Sequence, residues 1–145
     1  MEVLKEYKLN KKQVKQSFII GIVTLILGVL MFIFIGNLIL IPIGILNIVI
    51  GVLNKNLKIV QIFPDHFEIQ RGVIASKKLI KYKNLISFKR SKRFLEFNYS
   101  SNEDGKKSVK LHLNALTEKD IQEICNVLKD KTDLGDENYF KPSLK

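Results

Sequence analysis

From Ser17 to Leu53 the chain runs for 37 positions without an Asp, Glu, Lys, Arg or His. Gly36-Asn37 is the one turn-like pair inside this run and divides it into Ser17–Ile35 and Leu38–Leu53. A single spanning helix takes ~20 apolar residues, so the length predicts two close-set membrane spans. At 1.5 Å per residue they reach ~28 Å and ~24 Å. The second is short for a ~30 Å hydrocarbon core, a deficit that local thinning or snorkelling of Lys55 and Lys58 would meet. A secretory signal peptide would have a shorter apolar region ending in a small-residue cleavage site. A buried soluble hairpin would carry charge somewhere over such a length.

After about Leu57 the period changes to that of a strand. Leu57, Ile59 and Phe63 alternate loosely with Lys58, Val60 and Ile62, and Pro64-Asp65 reads as a turn. Phe67 and Ile69, Ile80 and Tyr82, the short run at Ile86 and Phe88, then Leu95, Phe97 and Tyr99, and finally Val109, Leu111 and Leu113 follow. Ser100 to Lys106 is a polar hairpin loop. The pattern predicts about six short antiparallel strands, each with one apolar face. One helix comes next. Thr117 and Asp120 resemble a capping box, Leu116 and Ile121 stand at the positions of a hydrophobic staple, and Ile121, Ile124, Cys125 and Leu128 form an apolar stripe that can cover the sheet. Four regions follow: a basic segment over 1–16, the two-span hairpin over 17–54, a soluble domain over 55–131, and a polar tail over 132–145 in which Tyr139-Phe140 is the only apolar pair.

Small and polar residues within the spans are periodic. Ser17, Gly21, Thr24 and Gly28 recur at four, three and four; Gly44, Asn47, Gly51 and Asn54 at three, four and three. Both fit the heptad period of a left-handed helix pair. In an antiparallel hairpin facing residues share an index sum. Gly28 with Gly44 and Gly21 with Gly51 give 72, while Thr24 with Asn47 and Ser17 with Asn54 give 71. The expected seam is therefore glycine on glycine, with Thr24 as hydrogen-bond partner of Asn47. The same seam could instead bind another subunit or a second copy. Pro42 either kinks the second span or sits in its first turn.

Charge orients the hairpin. Lys5, Lys8, Lys11, Lys12 and Lys15 precede it, Lys55 and Lys58 follow it, and the turn between the spans is uncharged. Lys and Arg beside a span stay on the cytoplasmic side, so both termini are expected there. The one cysteine, Cys125, cannot form an internal disulfide, in agreement with a reducing compartment, and its place on the helix stripe makes it a core residue.

A membrane hairpin, a bent run of short strands and one closing helix together resemble the small bacterial membrane proteins that carry a pleckstrin-homology-like (PH-like) domain. Phe67-Glu68-Ile69-Gln70-Arg71-Gly72-Val73-Ile74 is similar to their early hairpin, and Lys81-Tyr82-Lys83-Asn84-Leu85-Ile86 to the segment that follows. The resemblance covers roughly 57–131. It implies a membrane α-helical hairpin plus an α+β soluble domain, built as a PH-like bent antiparallel sheet or partial barrel closed by a C-terminal helix, in the bacterial cytoplasmic (inner) membrane. The chain departs from the family in having six predicted strands rather than seven and no Trp in its helix, so inositol-lipid binding is not carried over. Some members of the family resemble self-protection factors against membrane-active bacteriocins.

Residues 55–131 carry 17 Lys plus Arg against 9 Asp plus Glu. No acid lies between Ile69 and Leu95, where Arg71, Lys77, Lys78, Lys81, Lys83, Lys89, Arg90, Lys92 and Arg93 all fall. These nine are the candidate contacts for anionic lipid headgroups, each worth ~1 kcal/mol at a charged leaflet. The plainer alternative is a solvated strand edge, where Lys also prevents sheet-to-sheet pairing. Nucleic acid is disfavoured because Tyr82, Phe88 and Phe94 belong to the core pattern and leave no stacking platform. His66 and His112 fall on polar strand faces, and no cluster has metal-ligand spacing. No phosphate loop, nucleophile elbow or paired carboxylate appears. The sequence thus predicts a non-enzymatic membrane protein without a cofactor, whose module binds anionic lipid or a protein partner. An immunity factor against a membrane-active toxin, or an accessory subunit of a larger membrane complex, are the alternatives.

Overall fold

A computed structural model describes residues 2–101, 105–132 and 134. The tip of the predicted polar loop and nearly all of the predicted tail, Tyr139 and Phe140 included, lie outside the described residues. The chain divides into two compact units, one of Met1–Tyr7 with Lys58–Lys145 and the other of Lys8–Leu57.

The second unit is a pair of helices, α1 (Lys11–Ile35) and α2 (Leu40–Asn54). α1 starts six residues before the predicted span because Asn10 caps it, its side chain accepting from the Lys12 N–H at 3.0 Å. It ends at Gly36, whose positive φ of 74° suits a residue without a Cβ and whose N–H reaches the Phe32 carbonyl at 3.0 Å. Asn37 then folds its Oδ1 onto the Ile39 N–H at 3.0 Å, closing a local turn. Pro42 occupies the first turn of α2, where a missing N–H costs nothing. α1 is long and apolar enough to cross a membrane. α2 is apolar throughout and shorter, at 15 residues.

The other unit is α+β. Its strands are β1 (Lys5–Lys8), β2 (Lys58–Ile62), β3 (His66–Ile69), β4 (Lys78–Lys81), β5 (Leu85–Arg90), β6 (Phe94–Ser101) and β7 (Gly105–His112), with α3 (Glu118–Lys131) last. Four strands form a sheet in the order β1-β2-β3-β4, and three form another in the order β5-β6-β7. The neighbours β2 through β4 and β5 through β7 pair antiparallel. The six expected strands are present, and β1 adds a seventh from the segment read only as basic. Alternation could not announce a four-residue strand of sequence KEYK, which turns one side chain inward. That side chain is Tyr7, which is buried in the core.

Phe67 of β3 and Phe97 of β6 meet at 5.4 Å between ring centroids, joining the two sheets in one apolar interior with Ile59, Ile62, Phe88 and Leu95. Ile121, Ile124, Cys125 and Leu128 are all buried, as the stripe on α3 requires. Thr117 and Asp120 complete the capping box in both directions. Ile86 departs from the expected alternation: a register shift between Leu85 and Ser87 turns it outward and leaves Leu85 and Phe88 as the inward residues.

Candidate functional site

The nine cations of the acid-free stretch do not form one face. Strand register separates them into groups. Arg71, Lys77 and Lys78 lie at or beyond the junction of β3 and β4, where Ile69 pairs with Lys78. Lys81 is at the opposite end of the same strand pair, across from His66, and Lys83 follows it in a 3-10 turn over Tyr82–Asn84. Lys89, Arg90, Lys92 and Arg93 gather where β5 passes into β6, around the Arg90–Leu95 pair.

Eight of the nine are exposed. Arg90 is not, and its assignment as a lipid contact is corrected. Its guanidinium lies 2.6 Å from Glu118 Oε1 and 2.8 Å from Oε2, fastening the first turn of α3 to the β5–β6 turn. Alternation on β5 puts residue 90, two positions after Phe88, on the same inward side, so the side chain is drawn inward and paired. Lys77 is also engaged, donating to Gln61 Oε1 at 3.0 Å and Glu68 Oε2 at 3.3 Å. Lys78 and Lys81 belong to β4, which is an edge of its sheet, so their charge also blocks edge pairing.

A cleft of about 700 Å³ is lined by Asp65, Lys81, Tyr82, Lys83, Leu85, Lys131, Thr132 and Leu134. Lys81, Lys83 and Lys131 give it a cationic wall. Asp65 faces them as a carboxylate engaged with His66 Nδ1 at 2.7 Å. That hydrogen bond, and then the nearby Lys81, hold its carboxyl below the usual range. Tyr82 donates its hydroxyl to the Phe63 carbonyl at 2.9 Å, and burial, with Asp65 near, pushes its phenol up to about 12. Such a cleft can hold an anionic group. A smaller one of about 300 Å³ shares Lys81 and Lys83 and adds Tyr99 and Ser100. Lys131 was not legible as a member of this site. At the last turn of a helix a lysine reads as a partner of the helix dipole.

His66 corrects another expectation. It is buried, hydrogen-bonded to Asp65 and stacked on Phe63 at 4.4 Å, because both faces of β3 are covered at that point. His112 is exposed and leans on Phe94. Among the described residues no group of three or more His, Cys, Asp or Glu is arranged to hold a metal ion.

In the hairpin unit the small residues do face the partner helix, and Gly21, Gly28, Gly44 and Gly51 are its buried positions. Ser17, Thr24, Asn47 and Asn54 are half-buried. The register differs from glycine on glycine. A Cβ on Gly21 would lie 2.7 Å from Ile48 Cγ1, on Gly28 2.9 Å from the Ile41 nitrogen, on Gly44 2.8 Å from Leu25 Cα, and on Gly51 3.4 Å from the Phe18 ring. Every one of these pairs has an index sum of 69. Each glycine is thus a hole that receives a larger neighbour, which fills space that two facing glycines would leave empty. Asn47 directs its amide to the Ile43 carbonyl of its own helix at 3.1 Å, and Ser17 its hydroxyl to Gln13. The new register lets α1 run about six residues, ~9 Å, past the start of α2, and Ile33, Phe34 and Ile35 there are strongly exposed.

No family model, curated protein or solved structure matches this chain.

Proposed function

We propose that the chain is a non-enzymatic inner-membrane protein whose two helices anchor a PH-like module that engages anionic lipid headgroups. Among the described residues, seven strands in sheets of four and three with one following helix support the PH-like resemblance. One observation carries the reading: β1 and β2 are neighbours in a sheet although the apolar hairpin separates them in the chain. The module is therefore tied to the hairpin by two connections only a few residues long, at 9–10 and 55–57.

Cations crowd these connections. Lys11 and Lys12 stand in the first turn of α1, which holds no acid. The helix dipole disfavours positive charge there. Anionic headgroups supply the missing counter-charge, at ~1 kcal/mol for each cation near the surface.

Lysine footprinting of the full chain in vesicles tests this. Lys11, Lys12, Lys55 and Lys78 are expected to be protected from acylation in phosphatidylcholine vesicles containing phosphatidylglycerol, and to become reactive as salt is raised. Equal labelling in neutral and anionic vesicles sinks the proposal. A second reading, capture of an acidic protein segment, is favoured by the cleft that gathers Lys81, Lys83 and Lys131. It predicts that these three stay reactive in every vesicle and are protected only by the partner.

A further inference from the structure

The segment between β3 and β4 has a tip that folding alone does not account for. Gly72 and Ala75 close a tight turn, the Ala75 N–H meeting the Gly72 carbonyl at 3.2 Å. Its central residues are Val73 and Ile74. Turn centres are ordinarily Gly, Pro, Asn, Asp or Ser, each for a conformational reason, and β-branched apolar residues have none there. Ile74 is 97% exposed, the most exposed large apolar side chain among the described residues. Arg71 precedes it by three positions, and Lys77 and Lys78 follow by three and four. From Gln70 to Phe94 the chain carries no acid, and the nearby Glu68 is engaged by Lys77, leaving Arg71 and Lys78 as the cations beside the tip. A hydrogen-bonded turn thus presents one bare isoleucine inside a cationic collar.

Strand register says which end of the sheet this is. β2 begins at Lys58, directly after the connection from α2, and β1 ends at Lys8, directly before the connection to α1. β3 runs back to that same end: Val60 pairs with Ile69, and the Gln70 N–H bonds to the Ile59 carbonyl at 2.9 Å. The Gly72–Ala75 turn therefore leaves the sheet at the edge where the chain departs for the apolar helices and returns from them. Lys77, bonded to Gln61 and Glu68, fixes the base of the loop on the sheet.

We infer that Ile74 is a wedge that enters the apolar zone just beneath anionic headgroups, while Arg71 and Lys78 hold the phosphates above it. The occupant is a lipid surface, chosen by complementarity: a protein groove could take the isoleucine, but the cations around it match a plane of negative charge. This inference rests on the lipid-facing reading of the module and adds to it a point of insertion with a depth.

The chain contains no tryptophan, so Ile74→Trp creates a single reporter at a position open enough to accept it. The full-length variant is reconstituted in phosphatidylcholine vesicles with and without phosphatidylglycerol. Insertion is shown by blue-shifted emission that brominated acyl chains quench in the anionic vesicles. Emission typical of water with no quenching, while Lys11, Lys12 and Lys55 remain protected in the footprint, overturns the wedge and leaves the lipid-facing reading standing. Loss of both signals overturns both. A blue shift that lipid bromines do not quench assigns the tip to protein contact and also overturns the wedge. As a second variant, Ile74→Asp in the otherwise unaltered chain is expected to lower the protected-to-reactive ratio of Lys78 about tenfold, the low end of what burying one isoleucine is worth. An unchanged ratio counts against the wedge.

Discussion

The helix pair and the sheet unit use the same apolar residues in opposite places. In the sheet unit the large side chains are inside and Lys is outside: Phe67, Phe88 and Phe97 are wholly buried. In the helix pair the buried positions are Gly21, Gly28, Gly44 and Gly51, while Ile, Leu, Val and Phe cover the exterior. Water drives the first arrangement by expelling apolar area. The second has no such drive between its helices if its solvent is lipid, and is held by close backbone approach instead. A given side chain should therefore matter by its surroundings, not by its hydrophobicity.

The sharpest way to break this contrast is to truncate matched apolar residues. Phe67→Ala should cost about 3–5 kcal/mol by leaving a cavity between the sheets. Ile26→Ala, on the outer face of α1, should stay within about 0.5 kcal/mol. Urea unfolding of the full chain in detergent, followed by near-ultraviolet circular dichroism, measures the first, and thermal melting of the helix signal the second. Similar losses at both sites would erase the distinction.

Tyr7 tests where one region stops. It precedes the hairpin in sequence yet is only 3% exposed in the sheet unit. Tyr7→Ala should destabilise that unit by about 3 kcal/mol and speed hydrogen exchange of β2 amides, while exchange in α1 stays unchanged. Faster exchange in α1 alone would return β1 to the hairpin.

Adding atoms probes the helix pair from the other side. A side chain at Gly44 collides with Leu25 backbone at 2.8 Å, whereas at Gly51 it makes ordinary contact with the Phe18 ring at 3.4 Å. Gly44→Ala should therefore cost about 1–3 kcal/mol, and Gly51→Ala close to nothing, when helix separation is read by spin-label distances. Equal responses would refute the register.

The smallest effect concerns pH. Tyr82 stays protonated in the folded state up to about 12 against 10.0 unperturbed, so its contribution is complete below pH 10 and disappears as pH rises toward 12. Tyr82→Phe removes its hydrogen bond, worth about 1 kcal/mol at neutral pH. It should also make the alkaline fall in stability shallower, though not flat, because burial raises the Tyr7 phenol in the same direction.

Six strands and α3 were legible because alternation and the 3.6-residue stripe record which side faces water. The run from Ser17 to Leu53 records that neither side does, so it announced the helices but not their register. The four glycines are the buried positions of the pair. Their pairing depended on which large neighbour fills each glycine hole, and no linear pattern encodes that. β1 was missed because a single inward residue, Tyr7, defines it. Arg90 was misplaced because it was grouped by charge with its cationic neighbours, although it stands two residues after Phe88 and shares that residue's inward face.

One consequence of the hairpin's position concerns synthesis. The strand around Tyr7 leaves the ribosome some fifty residues ahead of the strand it pairs with. At ~5–20 residues per second the early strand waits several seconds for its neighbour. Closure of the two helices brings those distant ends together and removes most of the entropy of joining them. A nascent chain whose helices fail to close keeps an incomplete sheet edge, so completion of the sheet depends on closure of the helix pair.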